Sequence, residues 1–148
     1  MNKKQQLLIK TDKIDVMDAY AFMDSPEHGA CASFIGKIRN RNMGKDVTGV
    51  SYDIFEPLAI KEFENICLEA RERWGDDLSF YVAHYKGQLK VGEISVIIFV
   101  GSVHRDEAFQ ACRYVIEEIK HRSPIWKQEH YIDGNSEWVK GHALCQGH

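Results

Sequence analysis

Residues 94–100, ISVIIFV, limit what this 148-residue chain can fold into more than any other stretch. The run is too continuous for a strand with one wet face and reads as a strand buried on both faces. A small-residue exit, Gly101-Ser102, leads to His104-Arg105 and then to a helix from about Asp106. Ala108, Cys112, Val115, Ile116 and Ile119 recur at helical spacing as one apolar stripe. Ser123-Pro124 stops that helix, and residues 125–129 leave it as an extended segment. Five basic groups, His104, Arg105, Lys120, Arg122 and Lys127, therefore gather around one buried strand–helix unit.

Those charges divide into two kinds. Lys120, His121 and Arg122 complement the negative C-terminal end of the helix dipole, as Asp106 and Glu107 complement its positive end, so they read either as good helix design alone or as part of a site. His104-Arg105 is different, because a cationic pair at a helix N-terminus opposes the dipole. An anion at that end, where free N–H groups point outward, gives the pair a purpose.

The rest of the chain supplies alternating strands and two further helices. A short strand is expected at 7–9, a helix at 16–23 capped by Asp15, and a strand at 30–37. The loop from Gly36 to Gly44 is basic and reads either as a solvated turn or as a basic arm over a ligand. A strand at 47–55 precedes a helix opened by Glu56-Pro57, whose stripe is Phe63, Ile66, Cys67, Ala70 and Trp74. That helix reads as scaffold, with Glu62, Glu64, Glu69, Arg71, Glu72 and Arg73 on its solvated face. Strands at 78–85 and 91–100 are expected to be joined by residues 86–90 as a loop, with His84 a partly buried structural histidine. Asp133-Gly134 marks a turn before a short strand near Trp138. Mixed order and hairpin-like connections predict an α+β fold with a largely antiparallel sheet. We read residues 1–148 as one domain with its core at about 7–139 and a flexible tail at 140–148.

Charge and cysteine usage remove several functions. A net charge of −3 creates no global field for nucleic acid, so any anion site is a local pocket. No run is long enough for a membrane helix, and the basic N-terminus lacks the apolar core of a signal peptide. Cys31, Cys67, Cys112 and Cys145 form no CxxC pair. The first three fall on predicted core elements and read as buried small hydrophobes in a reducing, cytoplasmic setting. Spacing supports no metal site and no cofactor is expected, although Cys145 lies near His142 and His148.

The order of several short segments resembles the large, catalytic subunit of molybdopterin synthase. They are Phe34-Ile35-Gly36-Lys37-Ile38-Arg39, Asn42-Met43-Gly44, Arg73-Trp74, Ser102-Val103-His104-Arg105, Ile119-Lys120, Pro124-Ile125-Trp126-Lys127-Gln128-Glu129 and Trp138-Val139. Each is weak alone; their order and spacing are specific. The resemblance implies an α/β hammerhead with an additional antiparallel sheet. It implies insertion of two sulfurs into a cyclic pyranopterin monophosphate. The sulfur comes as a thiocarboxylate on the C-terminal Gly-Gly tail of a small ubiquitin-like partner, within a heterotetramer built on a homodimer of this subunit. It implies Lys120 and Lys127 as catalytic residues. It implies Lys37, Ile38, Arg39, His104, Arg105, Lys120, Lys127, Gln128 and Glu129 around the substrate. Three positions depart from the family pattern: Leu58 in place of a methionine, Gln128 where a basic residue is frequent, and Lys140-Gly141-His142 where an arginine is frequent. An adaptor that docks such a tail and a phosphorylated ligand without catalysis would carry similar motifs.

Overall fold

The computed structural model describes residues 4–140. Its elements are β1 (Gln5–Lys10), α1 (Val16–Met23), β2 (Ala30–Lys37), β3 (Arg41–Asn42), β4 (Lys45–Ile54), α2 (Glu56–Trp74) and β5 (Ser79–Tyr85). They continue with β6 (Gly87–Lys90), β7 (Ile94–Ser102), α3 (Arg105–Arg122), β8 (Ile125–Tyr131), β9 (Gly134–Asn135) and β10 (Val139–Lys140). The fold is α+β.

Side-chain alternation along β5 and β7 decides the layering. Phe80, Val82, Val96, Ile98 and Val100 turn to one face, where α2 and α3 cover them with Phe63, Ile66, Ala70, Ala111, Val115 and Ile119. Tyr81, Ala83, Ile97 and Phe99 turn to the other face, where α1 covers them with Ala19 and Met23. β7 is therefore buried on both sides, as its continuous apolar run requires. The sheet order is β1-β5-β7-β2, with β1 parallel to β5 and the other pairs antiparallel.

A second sheet, ordered β10-β8-β4-β3, continues from the first, with β6 paired to β4 and β9 to β8. All of its pairs are antiparallel. Its small core is Ile38, Val47, Val50 and Leu89. Gly49 lets β6 come close: a Cβ there would stand 2.6 Å from the Leu89 carbonyl oxygen.

Three expectations change. Residues 87–90, expected as part of a loop, are strand β6, held by pairing with β4 and by buried Leu89. Cys31 is exposed, because β2 is an edge strand and α1 does not reach the face that Cys31 shares with Ser33 and Ile35; Cys67 and Cys112 are buried. The expected solvated face of α2 is not plainly solvated: Arg71 is buried, donating to the Leu78 carbonyl at 3.2 Å and to Gln5 Oε1 at 2.6 Å, which ties α2 to β1, and Glu62 and Glu69 are engaged as well. With Glu118 they surround Arg122, at 3.2, 2.6 and 3.2 Å. The expected tail, with Cys145, His142 and His148, lies outside the described residues apart from Lys140.

Candidate active site

Where the first sheet, the second sheet and the C-terminal end of α3 meet, their side chains leave a cavity of about 280 Å³. Each wall has a local cause. The end of β2 brings Phe34, Gly36 and Lys37, and Arg39 follows it. At Gly36 a Cβ would stand 2.7 Å from Val96 Cγ1, so glycine keeps β2 close to β7 at the rim. The last two turns of α3 deliver Ile116, Ile119 and Lys120. The capping Ser123 and then Pro124 end the helix and send the chain into β8, whose Ile125 and Lys127 face the cavity. Tyr52 of β4 is the register partner of Lys127. Its ring meets that of His84, at the end of β5, edge to face with centroids 4.9 Å apart.

The cavity is cationic. Lys37, Arg39, Lys120 and Lys127 line it, and none of its lining residues is Asp or Glu. Burial pushes the Lys127 amine below its ordinary pKa; Glu129 opposes the shift, and Arg39 and Lys120 add to it. Burial pushes the Tyr52 phenol up to about 12, against a hydrogen bond with Ser95 that favours the phenolate. His84 is buried and held down to about 4, by burial first and by the charge of Lys120 as well, so it is neutral at pH 7. Such a site can hold an anion, and its Lys127 amine gives up a proton more readily than an ordinary lysine.

The expected site residues fall into three groups. Lys37, Arg39, Lys120 and Lys127 converge on the cavity. Ile38, Gln128 and Glu129 are beside it but do not line it. Ile38 lies between Lys37 and Arg39 with its side chain in the second sheet's core, and it exchanges backbone hydrogen bonds with Glu93 and Gly92. Gln128 donates to the Ser136 carbonyl at 3.2 Å, and Glu129 accepts from Asn42 Nδ2 at 2.7 Å. These two brace β8 and the β3–β4 hairpin.

His104 and Arg105 form the third group. They are exposed at the opposite end of α3, where the Ser102 hydroxyl donates to the His104 carbonyl. Fifteen residues of helix at 1.5 Å per residue separate the backbones of Arg105 and Lys120 by roughly 22 Å. Arg122, counted among the basic cluster in the sequence, is taken up by its three glutamates. Phe34, Tyr52, His84 and Ser95 line the cavity without having been assigned to it from sequence. Phe34, Tyr52 and His84 sit in alternating strands and Ser95 in the doubly buried β7, but only the meeting of two sheets shows what they face.

Residues 9–122 match the family described as MoaE protein. The molybdopterin synthase catalytic subunit of Synechococcus elongatus is 48% identical over 143 residues, covering 97% of this chain and 87% of the relative. A crystal structure of molybdopterin synthase from Staphylococcus aureus superposes with a TM-score of 0.83 at 31% identity, covering 94% of this chain and 98% of that one. A protein–protein complex of subunits 1 and 2 of the molybdopterin-converting factor from Helicobacter pylori superposes with a TM-score of 0.73 at 26% identity, covering 87% of each chain.

Proposed function

The chain belongs to the MoaE family, the catalytic subunits of molybdopterin synthase in molybdenum cofactor biosynthesis, and on that premise we propose that its lysine-lined cavity carries out sulfur insertion. The substrate is a cyclic pyranopterin monophosphate. The sulfur donor is the C-terminal thiocarboxylate of a small ubiquitin-like subunit, and two transfers build the dithiolene. The single observation that carries this reading is the convergence of Lys120 and Lys127 with Arg39 and Lys37 on a cavity without a carboxylate.

The chemistry suits those groups. The thiocarboxylate and the substrate phosphate are both anions, and a cationic cavity holds them. Each sulfur transfer forms a C–S bond at a pterin side-chain carbon in place of a C–O bond, whose oxygen leaves protonated as water or stays on the phosphate, and breaks the acyl C–S bond to the partner. Water supplies the oxygen that restores the partner's carboxylate, and protons must be delivered and removed at the reacting atoms. Lys127, with a depressed pKa, has a larger neutral fraction near pH 7 than an ordinary lysine and can serve as proton carrier. Lys120 faces it across the cavity as the second functional amine.

The substrate phosphate is held by His104 and Arg105 of a second copy. Within one chain these groups stand at the wrong end of α3 to reach a ligand at Lys120. A pterin monophosphate is on the order of 10 Å long, by the scale of ordinary bond lengths. A twofold homodimer brings one copy's α3 N-terminus to the other copy's cavity and makes two such sites. Each copy then binds one small subunit, giving a heterotetramer; the Helicobacter pylori two-subunit complex, a structural neighbour, supports a small partner.

The test is turnover. The chain is combined with a thiocarboxylated ubiquitin-like subunit and the pterin substrate, and the product is analysed by mass. The expected product carries two added sulfurs, with two partner molecules returned as carboxylates. Tight binding of both ligands with no change in pterin mass would instead identify a non-catalytic adaptor.

A further inference from the structure

One segment that stands out in the sequence, Asn42-Met43-Gly44, has no task in sulfur insertion as described. It forms the tip of the β3–β4 hairpin. Asn42 is the register partner of Lys45, and the two residues between them, Met43 and Gly44, both have positive φ, 52° and 75°. Two such residues in succession make the primed turn that fits the twist of paired antiparallel strands. Arg41 clamps the turn, donating to Asp46 Oδ1 and to the Gly44 carbonyl, each at 2.6 Å. The backbone at Asn42 is thereby fixed.

The Asn42 side chain joins Arg39 of the cavity to Glu129 of β8. Its Oδ1 accepts from Arg39 Nη2 at 3.1 Å. Its Nδ2 donates to Glu129 Oε1 at 2.7 Å and to the Tyr131 hydroxyl at 3.1 Å. Glu129 is itself tied down, because its N–H donates to Ser136 Oγ and its carbonyl accepts from the Ser136 N–H, both at 2.8 Å. An arginine only donates and a carboxylate only accepts, so the orientation of the amide is determined and both of its ends are used.

We propose that Asn42 is a positioning residue for Arg39, its amide oxygen holding the guanidinium at the cavity while its amide nitrogen is anchored on Glu129 and Tyr131. This rests on the sulfur-insertion reading of the cavity, in which Arg39 meets an anionic ligand. Arg39 is exposed, and an exposed arginine samples many rotamers that a bound anion would have to still. A fixed acceptor removes part of that cost before the ligand arrives. An amide suits the position for a second reason. An Asp there would have the same length, but it could not donate to Glu129 and would set two carboxylates against each other. It would also offset the positive charge of Arg39. The neutral amide gives Arg39 an acceptor and leaves that charge to the ligand.

The experiment reads the contact and the turnover separately. In protein labelled with ¹⁵N-arginine, Asn42→Ala should shift the Arg39 guanidinium signals, while those of Arg122, held by its glutamates, stay put. Arg39 signals indifferent to Asn42→Ala overturn the proposal whatever the enzyme does. Turnover is then compared in Arg39→Ala, Asn42→Ala and the double variant, with the pterin and the thiocarboxylated subunit varied in turn. Arg39→Ala should raise KM for one of the two, which identifies the anion that the guanidinium meets. Asn42→Ala should raise that same KM about threefold to tenfold, the range for one ordinary hydrogen bond, with little change in kcat. In the double variant the Asn42 substitution should add nothing to the loss from Arg39→Ala. Losses that multiply, a rise in the other KM, a fall in kcat alone, or an Arg39→Ala protein that turns over as wild type each contradict the role. If Asn42→Ala does not fold, Asn42→Asp decides: the same KM should rise, and an unchanged KM contradicts the role. A wild type that inserts no sulfur defeats the functional reading and leaves the guanidinium result standing.

Discussion

Lys127 is the residue at which stability and activity pull in opposite directions. Its folded-state pKa lies below the ordinary lysine value because the amine is buried among other cations. The folded protein therefore holds that proton less well than the unfolded chain does. Below the depressed pKa the charged side chain costs the fold stability; the cost fades as pH rises through the folded and then the unfolded value. Lys127→Met should accordingly raise Tm at pH 7 while reducing turnover by about a hundredfold or more, the scale of a lost general acid–base group. Lys127→Arg should also be impaired, because a guanidinium stays protonated. A Lys127→Met protein that melts earlier or turns over normally refutes the role. Arg105 makes a different prediction. Arg105→Ala should weaken pterin binding about tenfold or more, the effect of one charge-assisted phosphate contact, and leave the partner's affinity unchanged. Calorimetry with each ligand separates the two. The His104-Arg105 pair drew attention in the sequence because a cationic pair at a helix N-terminus opposes the dipole, whereas Lys120 and Lys127 were marked by the resemblance to the family and not by their charge alone. His84 and Tyr52 were not legible, since period-two alternation shows which side chains point inward and not which sheet they meet.

At the scale of elements, the α2–α3 contact is tied by charge as well as by its apolar seam. Glu69 accepts from Arg122 at 2.6 and 2.9 Å and from Tyr114 at 2.6 Å. The Arg122 and Tyr114 hydrogen bonds pull its carboxyl down to about 2, from the usual glutamate value of about 4.3. A depressed carboxylate stabilises the fold above its unfolded pKa, and that contribution is lost as pH falls toward the folded value. Both side chains are about one-third exposed, so solvent screening reduces the gain. Glu69→Gln should cost about 1 kcal/mol at pH 7, and the difference from wild type should shrink as pH falls from about 4.5 toward 2. Urea melts across that range check it; an undiminished difference at low pH would assign the effect to packing. The main elements were readable because apolar spacing shifts from two to three and four at their boundaries. β6 was missed because Gly87-Gln88-Leu89-Lys90 has the composition of a turn, and only pairing with β4 at Gly49 makes it a strand. Cys31 was misplaced for a related reason. Alternation does not say that β2 is an edge, and the second face of an edge strand can stay wet.

The whole molecule is organised around the junction of two sheets at one end of α3, and its other candidate anion site stands at the far end of that helix. The separation, roughly 22 Å by helix rise, is the main reason to place a complete site between two copies. The sequence contained both ends and the helix length between them, but the cavity itself is a product of tertiary packing. Subunit complementation tests this most directly. Arg105→Ala and Lys120→Ala proteins are mixed in equal amounts with the thiocarboxylated partner under conditions that allow dimers to exchange, with the pterin held well below its wild-type KM so that Arg105→Ala alone keeps at most about a tenth of the activity. Half of the dimers are then mixed, and each mixed dimer joins one intact Lys120 to one intact Arg105 while its second site carries both substitutions. Sulfur insertion should return to about a quarter of the wild-type rate. Confirmed exchange with no return of activity would show that each chain must supply its own lysine and arginine, and would contradict the shared site.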